Sequence, residues 1–147
     1  MITTIYQYLN ADNKLCQLLN HNQYEDSLKI FFGRPSTNNK KQLNEKGSFI
    51  DYPYLVYNIV PFSQNEVTND NRLQITVVTD NELKLNDINN RLIELLDFKK
   101  NVTDRPSNRI ADQVILNSQL MTGGSFFYHK NEQVFEQIKY FLVKMKG

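Results

Sequence analysis

The sequence predicts an α+β domain in which an N-terminal helix and a central helix pack on a sheet of about four or five strands. Three observations carry this. Apolar residues recur at three- and four-residue steps near the N-terminus and again between Leu85 and Leu96, the spacing that lines one face of a helix. Between and after these stretches lie short aromatic and β-branched runs bounded by Gly, Pro and Asn, as strands are. The chain has 147 residues, 40% of them apolar, which suits one domain, and no repeat, low-complexity tract or linker marks a second.

From Thr3 to Leu19 the apolar positions Ile5, Tyr8, Leu9, Leu15, Leu18 and Leu19 predict an amphipathic helix, with Thr4 and Gln7 placed as a capping box. Asn10-Ala-Asp-Asn13 prefers caps to helix interiors, so a kink or a restart is expected at Asp12. Leu28-Lys-Ile-Phe-Phe32, stopped by Gly33-Arg-Pro35, fits a brief strand. The polar stretch Ser36 to Ser48 follows, bearing Lys40, Lys41 and Lys46, and reads as a long exposed loop that is either mobile or used for contact.

Pro53 is tolerable at the start of the strand Tyr54-Leu-Val-Tyr-Asn-Ile-Val60, and Pro61 is expected to end it. Phe62 to Asp70 then forms a hairpin loop leading to a strand in which Leu73, Ile75 and Val77 alternate with Gln74, Thr76 and Val78. Helix spacing returns with Leu85, Ile88, Leu92, Leu95 and Leu96, preceded by Asp80 and Asn81 as caps and with Glu82 near the positive helix end. The segment Lys99 to Ser107 is polar and irregular. Val114 to Met121 and Ser125 to Tyr128 flank Gly123-Gly124 as a hairpin or a bulged strand. Val134 to Met145 satisfies a helix through Phe135, Ile138, Leu142 and Met145, yet Ile138-Lys-Tyr-Phe-Leu-Val143 is aromatic and β-branched, and we read a strand.

Net charge is only +1, which argues against a protein whose main work is holding nucleic acid through many phosphates. The average hides an asymmetry: Gln64 to Asp97 carries seven acids and three bases, net −4, leaving +5 for the rest. Opposite-signed surfaces suit self-association or docking, although solvated charge is the commoner explanation. A lone Cys16 allows no internal disulfide and points to the reducing interior of a cell; with no basic leader and no run approaching the ~20 apolar residues of a membrane helix, a soluble protein is expected.

No chemical signature emerges. His21 and His129 lie far apart and outside metal or triad spacings, and Cys16 lies on the apolar side of a helix without a cationic neighbour to lower its pKa. Gly123-Gly124 lacks the rest of a phosphate loop, and Asp80, Glu82 and Asp87 lack the alternation of a calcium loop. No catalytic, cofactor-binding or metal residue is therefore assigned. Tyr52, Tyr54 and Tyr57 beside Phe49 and Phe62 admit reading as a base-stacking platform, but flanking Arg and Lys are missing and core packing or subunit contact explains them better.

The order of these elements resembles a known family. Leu9-x-x-Asp12-x-x-Leu15-x-x-Leu18-Leu19, Ile30-Phe-Phe, Tyr52-Pro-Tyr-Leu-Val-Tyr57, Leu73-Gln-Ile-Thr-Val77, the immediate helix and a final strand together resemble the tail terminator, or tail completion, proteins of long-tailed bacteriophages, also called head-tail joining proteins. The resemblance spans nearly the whole chain and implies an α+β subunit with an antiparallel sheet. It implies assembly into a ring, a hexamer, that caps the tail tube protein, stops its polymerisation and meets the head connector protein, with DNA passing through the lumen and no membrane involved. A virion location, with assembly in the host cytoplasm, and no enzymatic activity follow from it. Ser36 to Ser48 and Asn101 to Asp112 look longer than a minimal member needs. Arg34, Lys40, Lys41 and Lys46 are then candidate partner or subunit contacts, and Phe141 and Val143, on the face opposite Tyr140 and Leu142, candidate interface positions. The alternatives are another phage neck or tail component, or a small single-stranded nucleic-acid-binding module.

Overall fold

The computed structural model describes residues 2–22, 28–33, 52–64 and 68–146. The N-terminal periodic stretch forms two helices, α1 (Ile2–Asn10) and α2 (Asn13–Leu19), because Asp12 breaks the first and caps the second: its backbone is extended and its carboxylate accepts from Leu15 N at 2.9 Å. The expected restart is there, but the capping box is not. Thr4 lies inside α1, buried, with its hydroxyl donating to Gln113 Oε1.

The strands are β1 (Ile30–Phe32), β2 (Tyr54–Gln64), β3 (Thr68–Thr79), β4 (Arg109–Ile110), β5 (Gln113–Leu120), β6 (Ser125–His129) and β7 (Val134–Lys146), and the central helix is α3 (Glu82–Leu96). They make one sheet in the order β1-β2-β3-β7-β5-β4, with β6 on β7 beside β5. The expected antiparallel sheet of about four or five strands is matched in part: among the described residues there are seven strands, and β1 runs parallel to β2 with Ile30 opposite Leu55. A short apolar run looks the same in sequence whichever way its neighbour points.

β2 passes through Pro61 to Gln64, with the ladder to β3 shifting between Pro61 and Ser63, so the predicted loop shrinks to residues that lie outside the described ones. Proline is tolerated because β1 pairs only with Leu55, Val56 and their neighbour Tyr57, and no described strand flanks β2 beyond it. β5 and β6 do not pair with each other. Both run antiparallel to β7, Leu120 opposite Phe141 and Ser125 opposite Ile138, so they are one bulged strand interrupted at residues 121–124. Gly124 lets the bulge close: its φ is +103°, and a Cβ there would sit 2.4 Å from the carbonyl oxygen of Ile138. Gly124→Ala is expected to cost about 2 kcal/mol or more from strain at this position, lowering the melting temperature by roughly 6 °C; an unchanged thermal melt would show that the bulge relaxes freely.

All three helices lie on one face of the sheet. Leu73, Ile75 and Val77 of β3 point to that face with Leu55, Tyr57, Ile115, Phe141, Val143 and Met145, and meet Ile5, Tyr8, Leu9, Leu15, Leu19 and the α3 stripe Leu85, Ile88, Leu92, Leu95 and Leu96. Burial of such a stripe is what makes a helix of this length stable, each Leu contributing about 2–5 kcal/mol when truncated to Ala. Asn81 caps α3 by accepting from Lys84 N at 3.1 Å. At the other end its carbonyls are taken one by one: Tyr8 Oη donates to Leu95 O at 2.6 Å, Ser118 Oγ to Leu96 O at 2.7 Å, and Arg105 Nε to Glu94 O at 2.9 Å. The polar segment after α3, read from sequence as irregular, thereby has a structural task.

A charged pair, Arg91 and Asp12, is buried beside the apolar layer. Arg91 is 3% exposed, and its guanidinium donates to Asp12 from Nε at 2.8 Å and Nη2 at 2.5 Å, then to Glu94 and Asp104 from Nη1 at 3.2 and 3.1 Å. The ammonium of Lys14, with Arg91, holds the Asp104 carboxyl down to about 2. One carboxylate thus caps α2 and ties it to α3 in a fork geometry that Lys could not reproduce.

Candidate functional site

The candidate residues separate in the structure. Arg34, Lys40, Lys41 and Lys46 lie outside the described residues. Phe141 and Val143 are 0% and 1% exposed, on the helix-covered face of β7, which has β3 on one side and β5 on the other. Their side chains are spent on the subunit's own core and offer no surface to a neighbour. The parity was read correctly, but the face opposite, bearing Tyr140 and Leu142, is the one turned away from the helices.

His21 and Cys16 are held by contacts within the fold. His21 is 8% exposed; its Nδ1 accepts from Lys29 N at 3.0 Å, so its Nε2 carries the proton and donates to Asn10 Oδ1 at 2.9 Å. Burial, reinforced by Lys29, pushes its pKa down to about 4. The folded state thus refuses a proton that the unfolded chain takes up below pH 6.5. Stability from this group is full above that pH and falls as pH drops toward 4, by about 2 kcal/mol between pH 7 and 4.5. Urea unfolding at the two pH values should show the loss in the wild type and a shallower pH slope in His21→Gln. Equal slopes would mean that another group titrates.

Cys16 is half-buried, with Sγ 3.4 Å from Asn10 O, and burial pushes its thiol pKa up, the direction of an unreactive cysteine. His129 Nε2 on β6 and Glu136 Oε2 on β7 are 2.7 Å apart. Asp80, Glu82 and Asp87 are exposed, and among the described residues no group of three or more His, Cys, Asp or Glu is placed to hold a metal ion. No helix among them is long and apolar enough to cross a membrane. Lys29, unremarked in the sequence, is 5% exposed and donates to Leu19 O and Pro53 O, at 3.5 and 3.4 Å, joining the end of α2 to the start of β2.

The tyrosine platform comes apart. Tyr57 is 2% exposed and its hydroxyl donates to Ile2 O at 2.8 Å, on the core side. Tyr52 and Tyr54 remain together, rings 6.0 Å apart and 16° from parallel, beside a shallow pocket that includes Glu132 and Glu136. Two carboxylates beside two rings repel a phosphate backbone, which removes the main support for a single-strand-binding reading.

What the structure does present is a surface of the kind that proteins bury against one another. Phe126, Phe127 and Tyr128 of β6 are 51%, 46% and 50% exposed, and β6 is paired on one side only among the described residues. Register places Phe126 and Tyr128 on the helix side, against Phe135, and Phe127 on the other. Between β6 and α3 runs a cleft of about 210 Å³ lined by Asn86, Asn89, Asn90, Gln137 and Phe126, with Glu82 and Lys139 also on its wall. An open strand edge, exposed aromatics and an amide-lined cleft are features that bind peptide chains well. The aromatic run Ser125 to Tyr128 marks a strand in the sequence, but no local pattern marks an edge.

Among solved structures, the chain is similar to a component of the "Virion of native gene transfer agent (GTA) particle", at 12% identity and a TM-score of 0.58, over 97% of this chain and 92% of that one. The fold is shared. At this identity the likeness concerns the arrangement of elements across almost the full length of both chains. No protein-family description and no curated protein sequence matches the chain.

Proposed function

We propose that this chain is a structural subunit of a phage-type virion: a tail terminator that assembles as a six-membered ring on the finished tail tube, ends its polymerisation and joins it to the head connector. The observation that carries the reading is the near full-length fold likeness to a virion component of a gene transfer agent particle. The open aromatic edge at β6 supports it, being a surface suited to assembly. Under this reading the protein acts without a catalytic step, sits at the junction of tail and head in the particle, and lets DNA pass through the ring without reading it.

Tail tubes grown from the tube protein of the same genome test the proposal. With this chain present, tubes should stop growing and carry a ring at one end in negative-stain images; without it, they should run on. Tubes that lengthen equally in both cases would sink the terminator role. The same fold likeness suits another neck or tail component, and labelled protein found at a different level of the particle would favour that reading.

A further inference from the structure

We infer that the cleft between α3 and β6, with the open edge of β6, is one of the two patches by which a copy of this chain receives a second copy, head to tail; this rests on the reading of the chain as an assembling subunit. Asn89 supplies the first argument. It is 7% exposed, its Nδ2 donates to Gln137 Oε1 at 3.1 Å, and its Oδ1 has no hydrogen-bond partner among the described residues. Turning this amide and that of Gln137 together end for end leaves the Asn89 amino group without a partner instead, so in either arrangement one buried polar atom on the cleft wall lacks a partner among the described residues. Such orphans are rare because they are costly, and a peptide amide from a neighbour would satisfy this one.

The second argument is the strand. The edge of β6 away from β7 has no strand partner among the described residues, and three consecutive aromatics stand about half exposed on it. An added strand would continue the sheet across the boundary and cover both of its faces at once.

Charge identifies the occupant. Asp80, Glu82 and Asp87 are exposed around the first half of α3, with Glu132 in the turn after β6, whereas Lys99 and Lys100 are exposed beyond the C-terminus of α3 and Lys144 and Lys146 at the far end of β7. Lys130 in the same turn, Lys84 on α3 and Lys139 on the cleft wall offset part of the first charge, and Asp104 and Asp112 part of the second, without reversing either. The two ends of the subunit therefore differ in sign, and a second copy presented by its lysine-bearing end complements the acid-bearing end beside the cleft. Association of unlike patches propagates from copy to copy and closes as a ring when the rotation permits, whereas like-with-like pairing would stop at two.

Mass in solution, measured by light scattering on the full chain over a range of concentration and salt, tests this with two variants. Asn89→Leu removes the orphaned amide, and Phe127→Glu places a charge on a half-exposed position of β6. Both are expected to keep the wild-type circular dichroism and melting temperature, and to need at least tenfold more protein to assemble; added salt should weaken the wild-type assembly as well. A residue that served only the subunit's fold would instead lower the melting temperature and leave assembly of the folded fraction alone. Wild-type and variant chains that assemble alike would overturn the site while leaving the ring reading intact. A wild-type chain that stays monomeric both alone and with tail tubes would overturn both.

Discussion

Arg91→Met will cost about 3–5 kcal/mol of folding stability, because it strands the carboxylate of Asp12 in the interior with its main partner gone. The comparison that makes the point is the double variant. Asp12→Asn keeps an N-cap for α2, since an Asn side chain accepts from Leu15 N as Asp does, and removes the charge that Arg91→Met would orphan. Asp12→Asn with Arg91→Met should therefore be less destabilised than the sum of the single changes, by at least about 1 kcal/mol in a cycle of urea unfolding experiments. Additive costs would show that the two side chains, 2.5 Å apart, are not energetically coupled and that water reaches the pair.

The second large effect is at Val143. Val143→Asp puts a carboxylate at a position 1% exposed, between Asn71 on β3 and Ser118 on β5, and the expected result is a chain that does not fold, since a buried unpaired charge costs more than about 4 kcal/mol against a typical total of 5–15. Lys144→Asp, next along the strand and exposed, should change stability by no more than about 0.5 kcal/mol. Circular dichroism and soluble yield distinguish the outcomes. A folded Val143→Asp chain with altered particle mass would return this residue to the subunit interface.

These two positions also show how far the sequence was legible. Alternation placed Phe141 and Val143 on one face of β7 and Tyr140 and Leu142 on the other, as the structure has them. Alternation is blind, however, to which face the helices cover, and that decides between core and surface. Arg91 left a signal: it lies three residues after Ile88 and four before Leu95, inside an otherwise apolar stripe, as Asn89 does between Leu85 and Leu92. Polar groups in such positions are either satisfied from afar or waiting for something. Spacing could not reveal that Arg91 is satisfied by Asp12, 79 residues earlier, and that Asn89 is only half satisfied. The caps at Asp12 and Asn81 were readable because capping is local. The parallel β1–β2 pair, and the sharing of one edge of β7 by β5 and β6, were not, since both depend on contacts that no local pattern encodes.

β7 comes after every other strand in chain order, yet it lies in the interior of the sheet, with β3 along one side and β5 and β6 along the other. On the ribosome this fixes a timetable. The hairpin of β2 and β3 and the helix after it can begin to order as they emerge, but β3 keeps a bare edge, and β5 and β6 have nothing to hold, until β7 follows. Until β7 has emerged the β6 edge cannot be completed, and copies still short of that strand have no finished surface with which to join prematurely.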